Sequence, residues 1–330
     1  MSTAVDLAPP TVDRLAVREM LVRQVRWEAD GVVSVELAPA DGTPVPAWEP
    51  GAHLDLVLPS GTVRQYSLCG DPADRSRYTV AVLREERGRG GSREIHDTAL
   101  VGRTIGVRGP RNHFPLREAG ACLLIAGGIG ITPLLAMARQ LQQRGADWRL
   151  VYAGRSRRTM AFLDLLAEYG EAVRVVPEDE EGRLDLAALM ASAVPGTEIW
   201  CCGPTGLLEA VENAARERDI PVHTERFTAS GQTPPAADAP GGETFEVELR
   251  RSGRTVEVTP DRSVLDAVRE HVPDVVSSCE EGFCGACETP VLEGIPDHRD
   301  EVLSDGERAE NNTMMICVSR ACSKRLVLDL

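Results

Sequence analysis

Three cysteines, Cys279, Cys284 and Cys287, stand in the loop CEEGFCGAC with four and then two residues between them, and Cys317 follows after twenty-nine more. Thiolates at this spacing form the ligand set of a plant-type 2Fe–2S cluster, in which four sulfurs hold two irons. Such a loop must wrap the cluster and aim amide N–H groups at the sulfurs, and Gly282 and Gly285 supply the unusual backbone angles this requires. Zinc is the competing reading, but structural zinc sites favour two C-x2-C-like pairs and only one is present. Cys322 rivals Cys317 for the fourth position. Cys317, however, ends the apolar run Met314-Met315-Ile316, which can deliver it from a strand, and Cys322 then reads as a structural thiol.

A second chemistry-bearing stretch runs from Leu123 to Pro133, LLIAGGIGITP, as an apolar strand, a glycine turn and a helix start. Thr132 is placed to cap that helix with Pro133 in its first position, while Leu134, Leu135, Ala138 and Leu141 form an apolar face ending before Gly145. Unpaired N–H groups and the helix dipole at such a terminus attract a pyrophosphate, and Gly127, Gly128 and Gly130 leave room for it. The stretch departs from G-x-G-x-x-G, because Pro133 stands where the third glycine would be. Taken alone it reads equally as a plain strand-to-helix turn. Two further strand ends strengthen the nucleotide reading, since ligands bind at the carboxyl ends of parallel strands. Arg155 and Ser156 end one strand, where a ribose would lie, and Cys202, Gly203 and Pro204 end another. Cys202 reads as packing beside a nicotinamide ring rather than as a nucleophile, because no partnered histidine is evident. Arg155, Arg157 and Arg158 could pair with an NADPH phosphate or form a solvated helix start, so NADH is expected with NADPH still open.

A third stretch, Arg64-Gln65-Tyr66-Ser67-Leu68, places a guanidinium, a phenol and a hydroxyl on one strand, and Gly88-Arg89-Gly90-Gly91-Ser92 adds a glycine-rich turn before a helix. Arginine with free N–H groups suits a phosphate. Tyr66 could lie against a flavin or its ribityl chain and Ser67 could hydrogen-bond the ring. The same residues could equally form an ordinary barrel strand and a surface turn.

The elements that must position these residues fall into three parts. Residues 13–116 carry short alternating runs broken by glycine and proline, at 53–58, 64–68 and 78–83, which predict a small antiparallel β-barrel. Residues 117–227 switch to apolar runs at 122–126, 149–152, 173–176 and 199–202 separated by amphipathic helices, the pattern of an α/β parallel sheet with crossover helices. Residues 228–242 are rich in proline, alanine and glycine and predict a linker. Residues 243–330 open with a hairpin around Ser252-Gly253 and a helix over 263–272 before the cysteine loop, predicting a small α+β domain.

The chain has 330 residues, 42% of them apolar, which is enough for two to three packed cores. Its formal charge of −15 argues against nucleic acid or an anionic membrane as partner. The part from 243 onward holds 19 acidic and 10 basic side chains, so most of that charge sits at the cysteine end. Nine cysteines in this distribution argue against a disulfide framework, and the N-terminus lacks an export signal, so a cytoplasmic location is expected. The long uncharged stretch from Ala121 to Ala138 contains three glycines and a proline and reads as strand, turn and helix rather than a membrane span.

Together the motifs RQYSL, GRGGS, GPRNHFPL, GGIGITP, YAGRS, CCGP, TERF and CEEGFCGAC, in this order, resemble the phthalate dioxygenase reductase and vanillate O-demethylase reductase family over nearly the whole chain after the first dozen residues. The resemblance implies a flavin domain, an NAD domain and a β-grasp ferredoxin domain in one chain. It implies FMN rather than FAD, with Arg64, Tyr66, Ser67, Gly90, Gly91 and Ser92 around it, the backbone of Val82 and Arg84 close to the ring, and Phe227 stacked on it. Trp200 stands where many relatives carry tyrosine, which leaves the shape of the nicotinamide pocket open. The implied activity is electron transfer from NAD(P)H through FMN and the 2Fe–2S cluster to a separate oxygenase. A flavin is needed because it exchanges electrons in pairs with a nicotinamide and singly with a cluster. No general acid, base or nucleophile is assigned. The expected acceptor is a Rieske-type aromatic oxygenase or O-demethylase, with a haem-thiolate monooxygenase as the nearest alternative and a zinc-stabilised redox-sensing module as the different class. A monomer is expected, with the acidic ferredoxin surface steering a basic partner.

Overall fold

The computed structural model describes residues 16–86, 90–227 and 243–330; the expected linker at 228–242 lies outside them, as do Gly88 and Arg89 of the glycine-rich turn. Six antiparallel strands form the first sheet, in the order Val63–Ser67, Ala52–Val57, Thr104–Asn112, Arg18–Ala29, Val32–Pro39 and Tyr78–Leu83. A single bridge between Leu68 and Val80 joins the two edges, so the sheet curls shut as the alternating pattern predicts. Val22, Val35, Leu37, Leu54, Leu56, Leu68, Val80 and Val82 fill its interior and are fully buried. One departure from simple alternation matters below. His53 and Asp55, which face away from that interior, are buried as well.

Five parallel strands form the second sheet, in the order Val222–Glu225, Thr197–Cys202, Ala121–Gly127, Trp148–Gly154 and Val173–Pro177. Ala121–Gly127 is buried along its whole length, as the central strand of a sheet covered on both faces must be. Helix Ile131–Arg144 packs nine of its residues into the core and stops at Gly145, whose φ of 63° is the left-handed turn that ends a helix. Two details correct the sequence reading of its start. The N-cap is Gly130, not Thr132, and Pro133 is the third helical residue. Thr132 is buried in the first turn and donates its hydroxyl to the Ile129 carbonyl at 3.0 Å.

The third sheet orders Arg254–Val258, Phe245–Leu249, Arg325–Leu328, Glu288–Glu293 and Thr313–Met315, with Phe245–Leu249 and Arg325–Leu328 parallel. Its hairpin forms as expected, and helix Val264–Arg269 is capped by Ser263 accepting from the Asp266 amide at 3.0 Å. No helix among the described residues is long and apolar enough to cross a membrane.

Leu124 is completely buried in the central parallel strand. Replacing it with alanine should lower unfolding free energy by about 2–5 kcal/mol, the range for deep leucine truncations. A loss near zero in urea denaturation would contradict the assigned core.

Candidate functional site

The cysteine loop and Cys317 come together. Cys279, Cys284, Cys287 and Cys317 are all buried, whereas Cys322 is exposed and takes no part. The thiols of Cys284 and Cys317 both hydrogen-bond Cys279, and Cys317 also meets Cys287. The contacts run as a chain from Cys284 through Cys279 and Cys317 to Cys287, so all four thiols are gathered in one place, as the ligand set of a two-iron cluster requires. Those hydrogen bonds hold the Cys279 thiol well below its usual range and push its donors up. The amide of Glu281 donates to Cys279 Sγ and that of Cys279 to Cys284 Sγ, each at 3.4 Å. Gly282 and Gly285 adopt φ of 80° and 70°, as the loop reading requires.

At the carboxyl ends of the parallel strands two chain segments nearly touch. A β-carbon on Gly130 would fall 2.2 Å from the Cys202 carbonyl oxygen, so only glycine fits there. Gly203 faces Gly127 in the same way, and Pro204 packs against Gly127. This brings Gly127, Gly128, Gly130, Cys202, Gly203 and Pro204 together at the carboxyl ends of the strands, the usual location for a dinucleotide in an open α/β sheet, with Thr132 buried in the first turn of the helix that follows. Cys202 is fully buried and burial drives its thiol far above the usual range, consistent with packing and not with nucleophilic attack. Trp200 is equally buried: it donates to the Pro115 carbonyl at 3.2 Å and stacks on His223 at 4.6 Å, so it joins the sheet to the barrel. Ser156 and Arg155 follow the neighbouring strand; Arg157 pairs with Glu180 at 3.0 Å and Arg158 with Asp30 at 2.8 Å.

Val63–Ser67 supplies the barrel's contribution. Gly91 lies so close to Arg64 that a β-carbon would sit 2.5 Å from its Cγ, which locks the glycine turn onto the arginine. Gly90 caps helix Gly91–Asp97 with φ of 90°, and Ser92 Oγ accepts from the Glu85 amide at 3.0 Å. Val82 and Arg84 border this turn with their backbones engaged: the Val82 carbonyl meets His96 at 3.0 Å and the Arg84 amide donates to Gly31. The Arg84 side chain pairs with Glu86 and Asp97. Tyr66 is half-buried, and Phe227 packs against the core of the parallel sheet.

One group escaped the sequence reading. Ser67 Oγ donates to Glu225 Oε2 at 3.2 Å, bridging the barrel and the last residue of the edge parallel strand. Burial without a cationic partner pushes the Glu225 carboxyl up to about 8. Its strand, Val222–Glu225, is four residues long and mostly polar, so periodicity gave no signal for it.

Fold and site define an electron-transfer oxidoreductase in which a flavin-type barrel, a dinucleotide-type sheet and a cysteine loop meet. Residues 124–213 match the oxidoreductase NAD-binding domain family and residues 247–322 the 2Fe-2S iron-sulfur cluster binding domain family. The chain is 46% identical to phenoxybenzoate dioxygenase subunit beta of Ectopseudomonas oleovorans, covering 100% of both. Among solved structures, an intact type IV self-sufficient cytochrome P450 monooxygenase shares 46% identity over 100% of this chain with a TM-score of 0.87, and this chain spans 43% of that one. Phthalate dioxygenase reductase, a modular structure for electron transfer from pyridine nucleotides to [2Fe-2S], shares 38% identity over 96% of this chain and 98% of its own, with a TM-score of 0.69. The chain belongs to the phthalate dioxygenase reductase family and is an oxidoreductase with an NAD-binding domain and a 2Fe–2S domain. The cluster family match decides against the zinc module.

The raised Glu225 carboxyl has a consequence for stability. From the usual 4.5 up to about 8 the folded chain keeps a proton that the unfolded chain releases, so this group's stabilising contribution falls as pH rises through that window and levels off above it. Glu225→Gln should flatten that part of the curve, read by urea denaturation between roughly pH 5 and 9. Parallel curves for the two proteins would contradict the assignment.

Proposed function

We propose that the protein accepts a hydride from NADH, with NADPH as the less favoured donor, and delivers the electrons singly to an oxygenase. A bound FMN would supply the chemistry that lets the electron pair of one hydride leave as single electrons toward the 2Fe–2S cluster. Arg64 and the turn at Gly90, Gly91 and Ser92 would hold the FMN phosphate, with Tyr66 and Phe227 against the ring system and Val82 and Arg84 bordering it. The tight fit of Gly91 on the Arg64 side chain supports this, since it places a guanidinium beside the glycine turn, where an anion would be attracted. Gly127, Gly128, Gly130, Thr132, Cys202, Gly203 and Pro204 would bind the nicotinamide and pyrophosphate, and Arg155 and Ser156 the ribose. Cys279, Cys284, Cys287 and Cys317 would hold the cluster.

The observation that carries the reading is the Ser67–Glu225 hydrogen bond, because it fixes the nicotinamide-side strand end against the flavin-side strand. Near neutral pH Glu225 keeps its proton one hydrogen bond from Ser67 Oγ. That gives the site a proton store without placing a negative charge where hydride must arrive. The proposed units are a flavin barrel at 13–116, a nucleotide domain at 117–227, a linker at 228–242 and a ferredoxin domain at 243–330, acting as a monomer in the cytoplasm.

The acceptor in the first reading is a separate Rieske-type aromatic oxygenase or O-demethylase, which the full-length likeness to a dioxygenase subunit supports. A haem-thiolate monooxygenase is the second reading, favoured by the TM-score of 0.87 to a cytochrome P450 structure. Anaerobically purified protein should show flavin and iron–sulfur bands that both bleach with NADH; a colourless protein would refute the proposal. Mixing it with purified acceptors of each type and measuring coupled product should give turnover with the Rieske oxygenase. Coupling to the haem-thiolate enzyme alone would reverse the order of the two readings.

A further inference from the structure

The outward face of the strands Ala52–Val57 and Val63–Ser67 carries polar residues in register. His53 lies opposite Ser67 and Asp55 opposite Gln65, while Arg111 of the next strand lies opposite His53. Directly paired residues share a face, so these side chains form one patch. The outer face of a small barrel is ordinarily wet. Here His53 and Asp55 are 2% and 0% exposed, and Arg111 Nη2 donates to both Asp55 oxygens at 2.8 Å. Both ring nitrogens of His53 lack a hydrogen-bond partner, and the ring stacks on His113 at 5.3 Å.

What lies on this patch is the cluster loop. Gln65 Nε2 donates to the Cys284 carbonyl at 3.1 Å. The neighbouring Gly285 rests on His113, where a β-carbon would fall 2.9 Å from Nε2. Both contacts meet the segment between the ligands Cys284 and Cys287. We propose that Gln65 is a positioning residue for the iron–sulfur centre: its hydrogen bond to the Cys284 carbonyl, with the His113 ring beneath Gly285, seats the ligand loop on the strand that carries Arg64, Tyr66 and Ser67.

The chemistry of the contact favours this role. An amide side chain can reach a ligand's backbone carbonyl and direct an N–H dipole at it without adding net charge beside the thiolates. Gln65 and Ser67 are two residues apart on one strand face, about 7 Å. The hydroxyl that meets Glu225 and the amide that meets the cluster loop are therefore set by a single rigid segment. Electron transfer weakens steeply with distance, so the position of this loop matters more than its stability alone. The assignment of a function to the seat rests on the flavin reading of this strand; the contact itself does not.

The test compares wild-type holoprotein with Gln65→Leu, which removes the donor, and Gln65→Glu, which replaces it with an acceptor facing the carbonyl. Backbone amide exchange across residues 279–287 should accelerate by about tenfold in both, the scale of one lost hydrogen bond. The cluster midpoint potential should fall in Gln65→Leu and further in Gln65→Glu, because a stabilising dipole is removed and then a negative charge added. Reduction of the flavin by NADH should keep its wild-type rate while cluster reduction slows. Wild-type exchange in both variants would overturn the proposal. So would faster exchange with an unchanged potential, which would mark a merely structural contact. If the wild-type protein binds no flavin, the flavin reading fails separately, and exchange together with potential still decides the role of Gln65.

Discussion

Every chemistry-bearing part of this protein touches one five-residue strand, Val63–Ser67. Arg64 is locked against Gly91 of the glycine turn, Gln65 holds the carbonyl of Cys284, and Ser67 donates to Glu225 at the end of the parallel sheet. Successive side chains of a strand point to opposite faces, so one short segment can meet the glycine turn on one side and both the cysteine loop and the parallel sheet on the other. The contacts are also stiff, being made by backbone-paired residues in a closed barrel. A reductase needs the separations of its electron-carrying centres fixed, and this strand ties the barrel, the parallel sheet and the cysteine loop to one another.

The same economy governs the parallel sheet. The meeting point of its strand ends exists because Gly130 lets adjoining segments approach closer than any side chain would allow. Around it the polar groups are kept neutral. Cys202 stays a thiol and Glu225 stays protonated into the neutral range, both through burial without cationic partners. The ionised pairs sit on the rim instead, Arg157 with Glu180 and Arg158 with Asp30. A neutral floor with a charged rim suits a dinucleotide whose ring must be dry and whose phosphates and ribose lie nearer water.

Legibility in the sequence follows from where each constraint is local. That Cys279, Cys284, Cys287 and Cys317 come together was legible because a two-iron cluster would impose a fixed ligand spacing on a short loop. Gly127, Gly128, Gly130 and the strands flanking them were readable for the same reason: turn geometry and apolar runs are local. Thr132 shows the limit, since a helix that starts two residues earlier turns an expected cap into a buried first-turn hydroxyl. Glu225 and Gln65 were not assigned because what defines them is distance in sequence. Their partners are 158 and 219 residues away, and nothing in the residues around them records that meeting. The burial of His53 and Asp55 is likewise set by distant chain, since Gly285 of the cysteine loop rests on His113, which stacks on His53, and Gln65 opposite Asp55 meets the Cys284 carbonyl.

If the strand Val63–Ser67 does hold the three centres in one array, electrons must pass within a single molecule. The most direct measurement is anaerobic stopped-flow mixing of oxidised holoprotein with one equivalent of NADH, following flavin and cluster absorbance over a range of protein concentrations. The account predicts flavin bleaching followed by cluster bleaching whose rate constant is independent of protein concentration. A cluster phase whose rate rises in proportion to protein concentration would mean transfer between molecules, and would contradict it.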